Sequence, residues 1–330
     1  MSSFPIFLSV VLVVRNINNN LNIILNNATE LLKTLVSDYE IIVVDNASDD
    51  NSLLTLKKMT GQDGLPNIQV FALTKEVDAD TASWVGLENA LGDFVAVVDP
   101  LTNDLSLIPL MLDKAMEGND VVFADNKTKI KQGLAYESAN VIFQKLYKLF
   151  NGVNLAKDAP HYRLINRSVI NFILQHPQPV ITYRHLPATG GFSKANIEYN
   201  SKPLIKKRKS LADSFDRGMR LLVSTTRIPM RLVTGFSLFG AIANLVYSLY
   251  IIIILLLKDD VAQGWASISL QISGMFFLLS LVLLVLGEYI LHMASLSNEG
   301  PLYHIGQEFT SEKMTRKEKL NIEDVSLFAK

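Results

Sequence analysis

The sequence predicts an α/β fold with a mostly parallel sheet, and three observations carry that prediction. Predominantly apolar runs rich in Val, Ile and Phe recur at 8–14, 41–44, 68–72 and 94–98, the pattern of strands buried on both faces. Helical repeats separate them, so strand and helix alternate along the chain. Two of the runs end in a carboxylate, at Asp45 and Asp99, and the carboxyl ends of strands are where open α/β sheets bind ligands.

The elements follow in order. Leu8 to Val14 is the first strand, entered directly from an apolar start with no basic leader before it, and Arg15, Asn16 and the asparagines to Asn20 form the turn after it. Leu21, Ile24, Leu25, Ala28, Leu31, Leu32 and Leu35 then mark one face of a helix. Strand two is Ile41 to Val44, and Asp50 or Asn51 caps a helix beginning near Ser52. After the loop Gly61 to Pro66 come strand three, Ile68 to Ala72, and a helix over Ala79 to Ala90 closed by Gly92. Phe94 to Asp99 is the fourth strand and Asp120 to Ala124 the fifth. The stripe Phe143, Leu146, Tyr147 and Phe150 has the spacing of a helix face that covers a sheet or dips toward a membrane.

Composition narrows the chemistry. The chain has no cysteine, which excludes disulfides, thiolate zinc sites and a cysteine nucleophile. Its five histidines include no pair at i, i+3 or i, i+4, so a histidine metal cage is not expected. The turn after strand one, Arg15-Asn16-Ile17-Asn18, lacks the glycines that let backbone approach a pyrophosphate, which excludes a dinucleotide-binding Rossmann turn. Strands ending in acids instead suit a phosphorylated or polyhydroxylated ligand.

The chain's C-terminal part is different in kind. Between Lys202 and Arg231 nine basic side chains face two acids, Asp213 and Asp216, with Leu211, Phe215, Met219 and Leu222 at helical spacing. Such a segment suits the headgroup plane of an anionic leaflet better than nucleic acid. Val233 to Leu257 is 25 residues without a charge, and Ala266 to Leu291 is a second apolar span broken by Gln271 and Glu288. The length predicts a two-helix transmembrane hairpin, and the basic belt before it predicts a cytoplasmic N-terminal domain in an inner-membrane protein. The expected division is therefore 1–199 α/β domain, 200–231 amphipathic juxtamembrane segment, 232–291 membrane hairpin and 292–330 cytoplasmic tail.

Four stretches, SVVLVVRN at 9–16, VVDNASDDNS at 43–52, GLENALGDFVAVVD at 86–99 and HYRLINR at 161–167, resemble family-2 glycosyltransferases of the GT-A fold. With the apolar spans, the chain looks most like the polyprenyl-phosphate branch, which includes dolichol-phosphate mannose synthases and bactoprenol glucosyltransferases. The resemblance implies a nucleotide-sugar site made of Val13, Arg15, Asn16, Asp45, Asp99 and Asp104, with Asp45 on the nucleotide base. It also implies a divalent ion, Mg2+ or Mn2+, on an acid-x-acid motif. The second acid of that motif falls on Leu101, so the ion is expected on Asp99 with Asn103. His161-Tyr162-Arg163 stands where relatives carry acid-Phe-Arg, giving Asp99, His161 and Arg163 as the expected catalytic set.

A phosphate monoester acceptor has a second pKa of about 6, so it attacks as an anion and needs cations more than a base. Lys127, Arg163 and Arg167 are the expected lipid-phosphate contacts. The implied activity is inverting transfer of a sugar from a nucleotide donor to a polyprenyl phosphate at the cytoplasmic face, for envelope polysaccharide or protein glycosylation, by a homotetramer. The alternative, raised by Leu101, Ile17 and the missing acid at His161, is a membrane-anchored homologue without turnover that binds sugar nucleotides or serves assembly.

Overall fold

In the computed structural model, residues 4–128, 158–176, 179–201 and 302–314 are described, with isolated positions between 133 and 145 and between 239 and 293. The chain divides into two compact units, one of Met1–Leu211 with Pro301–Lys330 and one of Ala212–Gly300. The basic segment 202–231, all of the span 233–257 but Phe239 and Val246, and most of the 143–150 stripe lie outside the described residues. Among those described, no helix is long and apolar enough to cross a membrane.

The first unit holds an eight-stranded sheet. Its strands are β1 (Phe4–Val14), β2 (Val36–Asp45), β3 (Ile68–Leu73), β4 (Phe94–Val98), β5 (Val121–Asn126), β6 (Arg163–Asn166), β7 (Lys194–Tyr199) and β8 (Ile305–Thr310), in the order β7-β5-β6-β4-β1-β2-β3-β8. The helices are α1 (Asn18–Leu35), α2 (Ser52–Thr60), α3 (Ala79–Asn89), α4 (Ile108–Met116), α5 (Arg167–Leu174) and the short α6 (Pro179–Thr182) and α7 (Leu186–Thr189). Within the described residues, the five strands and three helices expected over 8–124 are present. β1 and β2 begin earlier than expected, because Phe4 and Val36 are already paired before the apolar runs start.

The sheet is mixed rather than mostly parallel. β1, β2, β3 and β4 run parallel, as do β5 and β7, but β6 is antiparallel to both β4 and β5, and β8 is antiparallel to β3. One face carries the main core, in which Leu8, Val10, Leu12, Ile41, Val43 and Val70 meet the apolar sides of α1, α2 and α4. The other face takes α3 so closely that a Cβ on Gly86 would lie 2.3 Å from Val11 Cγ1. A methyl at Gly92 would strike the Ser9 backbone nitrogen at 2.6 Å, so the turn into β4 admits no side chain there.

β8 corrects the expectation that 292–330 is a separate tail. Backbone pairing seats Ile305–Thr310 on the edge of β3, and Ser311 is 3% exposed, its Oγ accepting from Ile68 N (3.1 Å) and donating to the Leu65 carbonyl (2.7 Å). A six-residue strand held chiefly through main-chain bonds leaves little apolar signature to read. Ser311→Ala strands the buried Ile68 amide, so the protein should lose about 1–3 kcal/mol of stability, visible as an earlier thermal transition. An unchanged transition would mean that the strand is not seated on β3.

Candidate active site at the carboxyl edge of the sheet

Parallel pairing brings the ends of β1 and β2 level, with Val14 opposite Asp45, so the turns that follow stand side by side. They are tied to each other rather than to solvent. Arg15 donates to the Asn46 carbonyl (3.2 Å) and pairs with Asp49 (3.3 Å) and Glu76 (2.8 Å). Asn16, at φ 52°, gives its amide to Ser48 Oγ (3.0 Å) and accepts from Asp49 N (2.8 Å). Asn46 exchanges two hydrogen bonds with the Val77 backbone, which brings in the turn after β3. Asp50 accepts from Asn18 N and Ser52 N, so the expected cap of α2 also pins the start of α1.

Asp45 lies at the floor of this cradle, 2% exposed. Burial raises its carboxyl above the ordinary range against the pull of two hydrogen bonds from Ser48. Val13 lies one residue short of the strand end and is half-buried. The fold thus brings Val13, Arg15, Asn16 and Asp45 to the same edge of the sheet. Asn46 and Ser48, which organise the cradle, were legible only as a polar turn.

At the end of β4, Asp99 is exposed on a turn held by its own backbone. Its amide donates to Asn103 Oδ1 (2.8 Å), its Oδ1 accepts from Leu101 N (3.0 Å), and Asp104 caps the next turn through Ser106 N (2.9 Å). β6 clamps this turn from the side, because Tyr162 Oη donates to the Asp104 carbonyl at 2.9 Å. The β4–β6 register runs from Phe94 opposite Asn166 to Val97 opposite Arg163. The ladder ends there, two residues before Asp99 and two residues after His161.

Residues 9–174, half of the chain, match the sequence model of glycosyl transferase family 2. The chain belongs to this family. It is 23% identical over 288 residues to an uncharacterized glycosyltransferase, YkcC, of Bacillus subtilis, covering 85% of this chain and 87% of that protein. It is 23% identical to a bactoprenol glucosyl transferase of Shigella phage SfV, over 82% of this chain and 89% of the relative. To an undecaprenyl-phosphate 4-deoxy-4-formamido-L-arabinose transferase of Klebsiella pneumoniae it is 24% identical, over 87% and 86%. Among solved structures, mannosyl-3-phosphoglycerate synthase of Rubrobacter xylanophilus superposes on 65% of the chain and 71% of its own, at 18% identity and a TM-score of 0.45.

In this family 2 glycosyltransferase, two arginines expected at the lipid phosphate stand elsewhere. Arg163 is fully buried, and its guanidinium donates to the carbonyls of Ala159, Pro160 and Arg184 between the rings of Phe123 (5.5 Å) and Tyr183 (5.3 Å). Desolvation pulls its pKa down to about 10, which still leaves it charged at neutral pH. Its strand position alternates inward, so it ties the 159–160 and 183–184 segments to the sheet. Arg167 donates to the carbonyls of Ala90 and Gly92, which precede β4, whereas Asp99 follows it; a five-residue strand, about 17 Å, separates the two ends.

Lys127 does stand at the carboxyl end of β5, exposed and paired with Glu198 (2.8 Å) and Asp125 (3.4 Å). His161 also stands at the site's edge, with Nδ1 3.0 Å from Asp80 Oδ1. Asn103 is turned away from the metal role expected of it, since its oxygen takes the Asp99 amide and its nitrogen donates to Tyr199 Oη (3.0 Å). Among the described residues no three His, Cys, Asp or Glu side chains gather as a metal cage. Asp99 is the one carboxylate that the acid-x-acid position supplies, and Leu101 adds no donor.

Arg163→Met removes donors from three buried carbonyls and should cost about 3 kcal/mol or more of stability. The melting temperature should fall while the affinity of the remaining folded protein for nucleoside diphosphates stays the same. Intact stability with weakened binding would restore Arg163 to the ligand site.

Proposed function

We propose that this family 2 glycosyltransferase moves a sugar from a nucleotide donor to a polyprenyl phosphate, with inversion, while anchored in a membrane. The observation that carries the reading is the likeness to the bactoprenol and undecaprenyl-phosphate transferases over 82% and 87% of this chain, well beyond the half matched by the family model. The described positions of the second unit agree with lipid contact. Ile268, Ile272, Leu279, Leu283 and Ile290 are helical and 48–67% exposed, an apolar face that water would not favour.

In this reading the donor base meets buried Asp45 in the cradle of Arg15, Asn16 and Ser48, and the diphosphate lies toward Asp99. The acceptor oxygen bonds to the anomeric carbon as the carbon–diphosphate bond breaks, its electrons leaving with the nucleoside diphosphate. A divalent ion, if used, is held by Asp99 and the donor's own phosphate oxygens, where it would supply charge neutralisation. Lys127 is the described cation best placed to help at that edge. The second reading, a sugar-nucleotide binder without turnover, draws on Leu101 and on the engagement of Asn103.

Purified chain given UDP-, GDP- and CDP-sugars with undecaprenyl phosphate separates the two. Transfer of one sugar, lowered about 100-fold or more by Asp99→Ala, is the outcome expected of the enzyme. Donor-induced thermal stabilisation without product, and without loss on Asp99→Ala, would favour the binder.

A further inference from the structure

The first turn of α3 gathers charged groups from three parts of the fold. His161 Nδ1 lies 3.0 Å from Asp80 Oδ1, Arg184 Nη1 lies 3.3 Å from Asp80 Oδ2, and Tyr183 Oη donates to Asp80 Oδ1 at 3.4 Å. Asp80 is largely buried, its side chain 16% exposed, while His161 keeps 39% of its side chain in contact with solvent. The acid is thus fixed from behind by Arg184 and Tyr183 and presents the imidazole outward. Ionised Asp80 can only accept, so in this pair Nδ1 carries the hydrogen.

Chain continuity carries this ring toward the Asp99 turn. The β4–β6 ladder ends with Val97 opposite Arg163, two residues before Asp99 and two residues after His161. Tyr162, the next residue, already holds the Asp99–Asp104 turn through the Asp104 carbonyl. The buried Arg163 beyond it anchors the same segment.

We propose that Asp80 and His161 form an acid–imidazole pair on the acceptor side of the transfer, Asp80 positioning the ring and His161 Nε2 contacting the attacking oxygen. The inference rests on the transferase reading above. A protonated ring donates to a phosphate dianion; a neutral ring takes the proton of a monoanion as its oxygen bonds to the anomeric carbon and the nucleoside diphosphate leaves with the bonding electrons. Sequence alone gave no sign of the pair, because Asp80 reads as one more acid in the first turn of a helix.

The test measures transfer from the UDP-, GDP- and CDP-sugar panel to undecaprenyl phosphate by the full chain, together with donor-induced thermal stabilisation. His161→Ala, which leaves the Asp80–Arg184 pair in place, should lower kcat/KM for the acceptor about 100-fold, and Asp80→Asn about 10-fold. Both should keep wild-type stabilisation by the donor, and the double variant should be no worse than His161→Ala, since Asp80 acts through the ring. A second loss of the same size in the double variant, loss of donor binding, or unchanged transfer in the single variants would overturn the pair while leaving an active wild type. A wild type that transfers no sugar would overturn the acceptor reading itself and the pair's role with it.

Discussion

The antiparallel ladder between β4 and β6 decides where everything at this site stands. A parallel sheet alone would deliver Asp45 and Asp99 to one edge, each followed by its own helix. Reversing one strand against β4 brings the start of β6 to that same edge, so that a segment distant in sequence closes the side of the Asp99 turn. Alternation along β6 then divides the labour of neighbouring residues. Tyr162 holds the turn, Arg163 points into the protein and fastens the segment that leads into the strand, and His161 lies just before the ladder begins.

Buried charge serves two different ends here. Arg163 is enclosed by carbonyls and aromatic faces, a fully satisfied cation whose effect is to bind loops to the sheet. Asp45 is enclosed with its carboxyl pushed up by burial and, among the described residues, only Ser48 donating to it, an arrangement that costs stability and that a base with donor groups would relieve. The turns around it are cross-tied without any ligand, because Arg15, Asn16 and Asn46 bond them to one another. Preformed sites of this kind lose little entropy on binding.

The apolar pattern revealed β1 to β5 because those strands are largely buried, and α1 because its buried residues form one clear stripe; α2 was read from its cap, and α3 is buried along seven consecutive residues, 81–87. The pattern missed β8, whose seat on β3 comes from main-chain bonds and one serine, and it left the sheet's antiparallel members unannounced. Asp45, Asp99 and the first turn were legible as strand ends. The roles of Arg163 and Arg167 were not, since a sequence shows that a residue is cationic but not whether it faces a cleft or a row of carbonyls. Asp80 was invisible as a partner of His161 for the same reason: 81 positions of chain separate two groups that only the tertiary fold joins.

The central claim is that the nucleotide sugar binds in the cradle at the carboxyl edge of β1, β2 and β4. Hydrogen–deuterium exchange of the full chain, with and without the nucleotide sugar that stabilises it, tests this most directly. Protection gained at 15–18, 45–50 and 99–104 is the predicted result. Protection instead around the open cleft of Lys57, Thr60 and Gly306–Thr310, with those three turns unchanged, would contradict it.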